Sequence, residues 1–222
     1  TCVDEAEYLQ RAIDSSLDQD TSFQHRVVVV QQGDNNQVGN IIHRNDVIHK
    51  QISMDNNVNR SRNLGRELAD AEYVLYLDAD DYSMPGRVQR SVELLEKGYD
   101  LVAQYRKSIR KENADGEIIS QHKSREELTG QNRPKIDFAE ASRLKKEHMT
   151  STSSLAMRRE SAVWNENVEY AQDYELMARL FSQDKDLKFV FEDLVTRTVR
   201  GESYGDRKEQ KSSFRTIKQK YF

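Results

Sequence analysis

The run Tyr73-Val74-Leu75-Tyr76-Leu77-Asp78-Ala79-Asp80-Asp81 passes from five apolar residues straight into three carboxylates within four positions. The apolar half is rich in aromatic and branched residues and predicts a buried strand. The acidic half sits where such a strand must end. Carboxylates this close repel one another, and clusters of this kind persist where a cation holds them. Asp78 and Asp80 are one residue apart, so a tight turn lets both face one ion. Mg²⁺ or Mn²⁺ suits them, because these hard ions take carboxylate oxygens and leave positions open for phosphates. The plainer alternative is a solvated turn in which Asp81 caps the helix that follows Pro85.

Working outward, the flanks alternate between strands and helices. Glu5 to Leu17 carries Leu9, Ala12, Ile13 and Leu17 at helical spacing, with Asp4 as its cap. Arg26 to Val30 predicts a short buried strand, and Gln31 to Asn36 a polar turn. Val47 to Ser53 is a weaker strand, and Asn59 to Ala71 a helix carrying Leu64 and Leu68. Pro85 is expected to open a helix reaching Lys97, and Leu101 to Ala103 to form another strand. This alternation predicts an α/β fold with a mostly parallel central sheet and helices on both faces. Ligands of such sheets bind beyond the carboxyl ends of the strands, where Asp78 to Asp81 lie. A helix starting at residue 5 needs a strand before it, and only Thr1-Cys2-Val3 precedes it, so the first strand is expected to be missing from the sequence.

The second half is less regular. Lys107 to Lys146 is charged, with a hairpin expected near Glu117 to Ile119 and a helix over Phe138 to Leu144. Thr152 to Met157, a helix over Ala171 to Phe181 and a strand over Leu187 to Phe191 follow. Asp206 to Phe222 is a basic helix or tail. Lys208, Lys211, Arg215, Lys218 and Lys220 in it suit a solvated face, or peripheral contact with an anionic membrane surface.

Composition narrows the function classes. The 222 residues are enough for one large domain, and 36% hydrophobic content with ten Tyr and seven Phe excludes wholesale disorder. A net charge of −4 disfavours a protein that lives on nucleic-acid phosphates. Cys2 is the single cysteine, so no disulfide or cysteine-zinc framework forms, which fits a cytoplasmic, reducing compartment. No apolar run approaches the roughly 20 residues of a membrane helix. The five histidines show no paired metal-ligand spacing. An EF-hand counted from Asp78 fails at Ser83 and Gln89, where Gly and Glu are required. P-loop and Gly-x-Gly-x-x-Gly motifs are absent. A haloacid-dehalogenase-like phosphatase also places Asp-x-Asp after a strand. It wants Thr or Val where Tyr82 stands, and a second aspartate where Gln210 follows Gly205-Asp206.

Several pieces resemble the family 2 (GT2) glycosyltransferases. Asp4-Glu5-Ala6-Glu7-Tyr8-Leu9 with Ala12-Ile13 is similar to the family's first helix. Ser61-Arg62-Asn63-Leu64-Gly65, a helix, the strand Tyr73 to Leu77, Asp78-Ala79-Asp80-Asp81 and Pro85 resemble its central block. Ser153 to Glu160 resembles its acceptor-side strand and turn. Gln172-Asp173-Tyr174-Glu175-Leu176 resembles the Glu-Asp motif that opens a helix. These pieces stand in the family's order, with 93 positions from Asp80 to Asp173.

The resemblance implies a GT-A fold, with residues 1–205 as the catalytic domain. About 1–104 would bind nucleotide and about 105–205 the acceptor, with 206–222 as a basic tail. It implies an inverting hexosyl-type transfer from a nucleotide-diphosphate sugar, UDP-sugar favoured, to a glycan, lipid-linked or protein-linked acceptor, with no nucleic-acid partner. Asp80 and Asp78 would hold Mn²⁺ or Mg²⁺, and Asp173 would be the general base. Arg62, Gln32 and Arg200 would lie toward the nucleotide or its phosphates. Gln31-Gln32 stands where the family has an acidic residue, so either Gln32 contacts the base through its amide or the base is not uracil. Gln172 replaces the usual Glu, and the segment after Thr198 lacks the usual His. Trp164 and Tyr170 are candidates to stack on a sugar. The phosphatase and a catalytically silent nucleotide-sugar-binding module stand as the alternatives.

Overall fold

The computed structural model describes residues 6–42, 47–124, 126–127, 150–199 and 208–222. The expected first strand, the Asp4 cap and the helix over 138–144 fall outside these residues.

Helix α1 (Ala6–Leu17) buries Leu9, Ala12 and Ile13, the stripe its sequence spacing predicts. Strand β1 (Val27–Gln32) runs two residues further than expected. Gln31 and Gln32, read from sequence as a turn, complete the strand and are 2% and 1% exposed. A short helix, α2 (Asn36–Ile41), follows, with the Asn35 side chain accepting the Gln37 N–H as its cap. It was not legible as a helix because only Val38 and Ile41 in it are apolar. Strand β2 (Val47–Ile52) pairs in parallel with β1.

Helix α3 (Val58–Ala69) buries Asn59, Ser61 and Arg62, while Leu64 and Leu68 are only partly covered. The two leucines, the apolar residues that mark this helix in the sequence, are thus not its most buried ones. The polar face is buried because its side chains are hydrogen-bonded, to the segment at 164–172 and, for Ser61, to Gln32. Asn63 exchanges hydrogen bonds with the Trp164 backbone, and Asn59 donates to the carbonyls of Asn165 and Val168.

Strand β3 (Tyr73–Leu75) is shorter than the apolar run that announces it, and β4 (Tyr82–Ser83) follows the acidic turn. Helix α4 (Arg87–Glu96) has Gly86 at its cap, so Pro85 precedes the helix rather than opening its first turn. Strand β5 (Leu101–Gln104) leads to a hairpin of β6 (Arg110–Asn113) and β7 (Ile118–Ser120). Strand β8 (Leu155–Arg158), helix α5 (Gln172–Ser182), β9 (Leu187–Val190), β10 (Val195–Val199) and α6 (Lys208–Tyr221) complete the described chain.

The strands form three sheets: the parallel pair β1-β2 and two mixed sheets, β3-β8-β5-β9 and β4-β10-β6-β7. Within the second sheet β5 and β9 are parallel, and β8 runs antiparallel between β3 and β5. Alternation along the strands separates its two faces. Leu101, Ala103, Leu155 and Met157 pack with Tyr174, Leu176 and Met177 of α5, whereas Val102 and Ala156 pack with Leu94 and Leu95 of α4. Helices therefore cover both faces. Around β1, Val29 joins Leu9, Ile13 and Val38 in a smaller core. Truncating a fully buried residue such as Leu155 or Met157 to Ala would cost about 2–5 kcal/mol.

Among the described residues β1 pairs only with β2, and β3 only with β8. Between β1 and β3 lies a largely apolar cleft of about 960 Å³, lined by Leu9, Ile13, Val27 to Val30, Ala69 and Tyr73 to Leu77. No helix among the described residues is long and apolar enough to cross a membrane.

Candidate functional site

The acidic turn follows β3 directly, and its three carboxylates have different surroundings. The Asp78 side chain is 41% exposed. Its Oδ1 lies 3.3 Å from Arg62 Nη2, its Oδ2 lies 3.2 Å from Ser153 Oγ, and its N–H donates to Ser153 Oγ at 3.2 Å. Asp80 is partly exposed. Asp81 is 2% exposed and turns the other way. It accepts a hydrogen bond from Ser153 Oγ and from the Thr198 N–H at 2.9 Å, and Arg197 Nε lies 3.8 Å away. Burial pushes its carboxyl up to about 7, against the pull of Arg197 and with added repulsion from Asp78 and Asp80. Asp81 ties β10 to the turn instead of capping α4.

Arg87 supports the turn from behind. It is 2% exposed and donates to the Tyr76 carbonyl at 2.6 Å, the Ser83 hydroxyl at 2.9 Å and the Leu155 carbonyl at 3.4 Å. Burial pulls its guanidinium down to about 10, and Asp81 and Asp78 oppose that.

Arg62 joins the two halves of the site. Its Nη1 donates to Gln172 Oε1 at 2.9 Å and Asn59 Oδ1 at 3.2 Å, while its Nη2 faces Asp78 and, at 3.4 Å, Thr152 Oγ1. The guanidinium lies over the Trp164 ring, 4.4 Å from its centroid. Trp164 is 2% exposed and meets Tyr76 edge-on at 5.1 Å. Trp164 is thus the floor beneath Arg62, and its ring is not open to a sugar. Tyr170 is partly exposed.

One guanidinium therefore spans from the acidic turn to Gln172, the residue before Asp173. Asp173 is 8% exposed in the first turn of α5, and its Oδ1 accepts the Tyr174 N–H at 2.9 Å. Ala171, just ahead, has φ 56° and ψ 38°, a left-handed conformation strained for a residue with a Cβ. Its N–H donates to Gln210 Oε1 at 3.1 Å on α6. Phe214 stacks on Tyr174 at 4.0 Å, and the Tyr221 hydroxyl donates to Glu175 Oε1 at 2.6 Å. The C-terminal helix thus clamps the turn that carries Asp173. The sequence reading took this helix as solvated and missed its apolar stripe of Phe214, Ile217 and Tyr221.

Gln32 sits at the carboxyl end of β1, and its Nε2 donates to Ser61 Oγ at 2.7 Å and to the Asn57 carbonyl at 3.0 Å. Its Oε1 is buried with no hydrogen-bond partner. Arg200 lies outside the described residues. Among the described residues, no three or more His, Cys, Asp or Glu side chains converge as a metal centre. Asp78 and Asp80 suit an ion that draws its remaining ligands from water and phosphate. Sequence reasoning missed Ser153 and Arg87. The signal for Ser153 was present: Thr150 to Ser154 is five hydroxyl residues in a row, all buried.

The mixed α/β sheet with helices on both faces is shared with solved structures of GT-A fold. The chain belongs to the family described as Glycosyl transferase family 2, which matches residues 1–165. It is similar in fold to S. aureus TarS, with a TM-score of 0.68 and 16% identity, over 97% of this chain and 38% of that one. The TarS 1–349 structure in complex with UDP-GlcNAc gives a TM-score of 0.67 at 16% identity, covering 96% and 62%. GalNAc-T7 with UDP, GalNAc and Mn²⁺ gives 0.69 at 16% identity, covering 96% and 45%. The chain thus spans less than two thirds of the length of each of these structures. No curated protein sequence matches it.

Proposed function

We propose that this chain is a metal-dependent, inverting glycosyltransferase domain that moves a sugar from a nucleotide-diphosphate donor to an acceptor hydroxyl. The observation that carries the reading is the Arg62 bridge between Asp78 and Gln172. The bridge supports a reading in which the acidic turn and the Asp173 turn face one bound donor.

In this reading Asp173 accepts the proton of the acceptor hydroxyl. The oxygen attacks the anomeric carbon, a new C–O bond forms, and the bond from that carbon to the donor diphosphate breaks. The electron pair leaves with the diphosphate, and the configuration inverts. Asp80 and Asp78 would hold Mn²⁺ or Mg²⁺, which supplies charge neutralisation for the leaving diphosphate. Arg62 orients Gln172 and Asp78 and adds a fixed positive charge beside the phosphates. Gln32 offers a buried acceptor, Oε1, for an N–H of the base. UDP is favoured as the nucleotide. TarS bound to UDP-GlcNAc and GalNAc-T7 bound to UDP and Mn²⁺ support that choice and the metal. The acceptor is a glycan, free or carried on a lipid or protein. The outward lysines of α6 suit an approach to an anionic membrane surface from the cytoplasm.

A panel of UDP-, GDP-, dTDP- and CDP-sugars, with and without Mn²⁺, tests the reading. Release of nucleoside diphosphate that needs the metal and disappears in Asp173→Asn supports it. Tight binding of a donor with no turnover under any condition points to the silent module instead.

A further inference from the structure

Lys111 on β6 and Arg197 on β10 are directly partnered in a parallel ladder. Partnered residues of neighbouring strands stand on the same face, and like charges placed so repel each other. The next pair, Glu112 and Thr198, points to the opposite face. There Arg11 bonds both Glu112 and Thr198 Oγ1, and the Tyr82 hydroxyl donates to Glu112. The nearest carboxylate in sequence is therefore engaged elsewhere.

Among the described residues nothing acidic offsets Lys111. Burial, then Arg197, then Arg106 hold its ammonium below the ordinary lysine range, and no carboxylate acts against them. Among the described residues Lys111 makes no ion pair. Arg197 has Asp81 at 3.8 Å from Nε, beyond hydrogen-bond length, and that Nε is buried without a hydrogen-bond partner. Asp81 shares the Ser153 hydroxyl with Asp78. The cation pair thus borders the acidic turn.

We propose that Lys111 and Arg197, with Arg106 beside them, form a subsite for a phosphate group at the edge of the donor cleft. This rests on the reading of that cleft as a nucleotide-sugar site. A phosphate oxygen pair matches the guanidinium fork and the ammonium point charge, and it offsets the repulsion between them. Two sources carry this chemistry: the donor's own diphosphate, or a phosphate on the acceptor.

The test compares the full chain with Lys111→Gln by thermal melting, at fixed ionic strength set with chloride and without divalent metal. Removing the lysine relieves like-charge repulsion, so the ligand-free variant melts higher than the parent. Inorganic pyrophosphate and methyl phosphate raise the parent's Tm, and at least half of that rise is lost in the variant. Lys111→Met, which keeps the apolar stem, replaces the Gln variant if the latter fails to fold. UDP titrated with Mn²⁺ then separates the sources. At least tenfold weaker UDP binding in the variant assigns the subsite to the donor. Unchanged UDP binding with a lost phosphate response assigns it to the acceptor. A variant that responds to pyrophosphate and methyl phosphate as the parent does overturns the proposal. If no donor is turned over while the phosphate response depends on Lys111, the transferase reading fails and the subsite stands.

Discussion

Replacing Asp81 by Asn asks whether the acidic turn is held by a charge or by its hydrogen-bonding shape. Asp81 is almost fully buried, and burial raises its carboxyl from 3.8 to about 7. A raised acid means that the folded chain keeps a proton that the unfolded chain has released between about pH 4 and 7. The stability linked to this residue is therefore fully present below pH 4 and is lost as pH rises through 7. Three pH units at about 1.36 kcal/mol each put the whole effect at roughly 4 kcal/mol. Asparagine is neutral throughout, keeps an oxygen for the Thr198 amide and offers an N–H to Ser153. Asp81→Asn should match the parent near pH 4 and exceed it at pH 8 by up to about 4 kcal/mol, or roughly 8–16 °C in Tm for a chain of this size. Thermal and urea melts of both proteins from pH 4 to 8.5, taken as a difference, isolate the residue from other titrating groups. A parent more stable than the variant at pH 8 would refute the reasoning. Arg197, Ser153 and the Thr198 amide would then be holding Asp81 ionised.

Other substitutions probe the remaining contacts. Asp173→Asn should lower turnover by about 10²–10⁴-fold while leaving Mn²⁺-dependent nucleotide binding within a factor of two, read by single-turnover kinetics and calorimetry. Arg62→Lys keeps the charge but cannot span Gln172 and Asp78 together or lie flat on Trp164. Urea unfolding should show a loss of roughly 2–4 kcal/mol. Gln210→Ala strips the Ala171 amide of its acceptor and should cost about 1–3 kcal/mol in the same assay. Ala171→Gly, which relieves the left-handed strain, should stay within about 1 kcal/mol of the parent.

Much of the nucleotide-side fold was legible because it is written in local patterns. The Val27 to Val30 run, the α1 stripe and the apolar run into Asp78 each announce one element. Polar burial was not legible. α3 turns Asn59 and Arg62 inward because partners more than 100 residues away satisfy them, and Ser61 because Gln32 on β1 donates to it, and spacing within the helix cannot reveal that. For the same reason Gln31 and Gln32 read as a turn although they end a buried strand. Strand β10 was missed because Thr196, Arg197 and Thr198 look solvated until β6 and β4 flank them. At the site, Asp78, Asp80 and Asp173 could be picked out as candidates by residue type and order. Arg87 and the α6 clamp depend on tertiary contacts that no motif records.

The proposed transfer requires the acidic turn and the Asp173 turn to face one bound donor. Calorimetry of UDP and Mn²⁺ against the parent, Asp80→Asn and Asp173→Asn tests it most directly, with the donor sugar then added to follow turnover. The expected pattern is metal-dependent UDP binding that Asp80→Asn abolishes and Asp173→Asn preserves, with turnover lost in both. Metal-independent binding that Asp80→Asn leaves intact, or full turnover in Asp173→Asn, would contradict it.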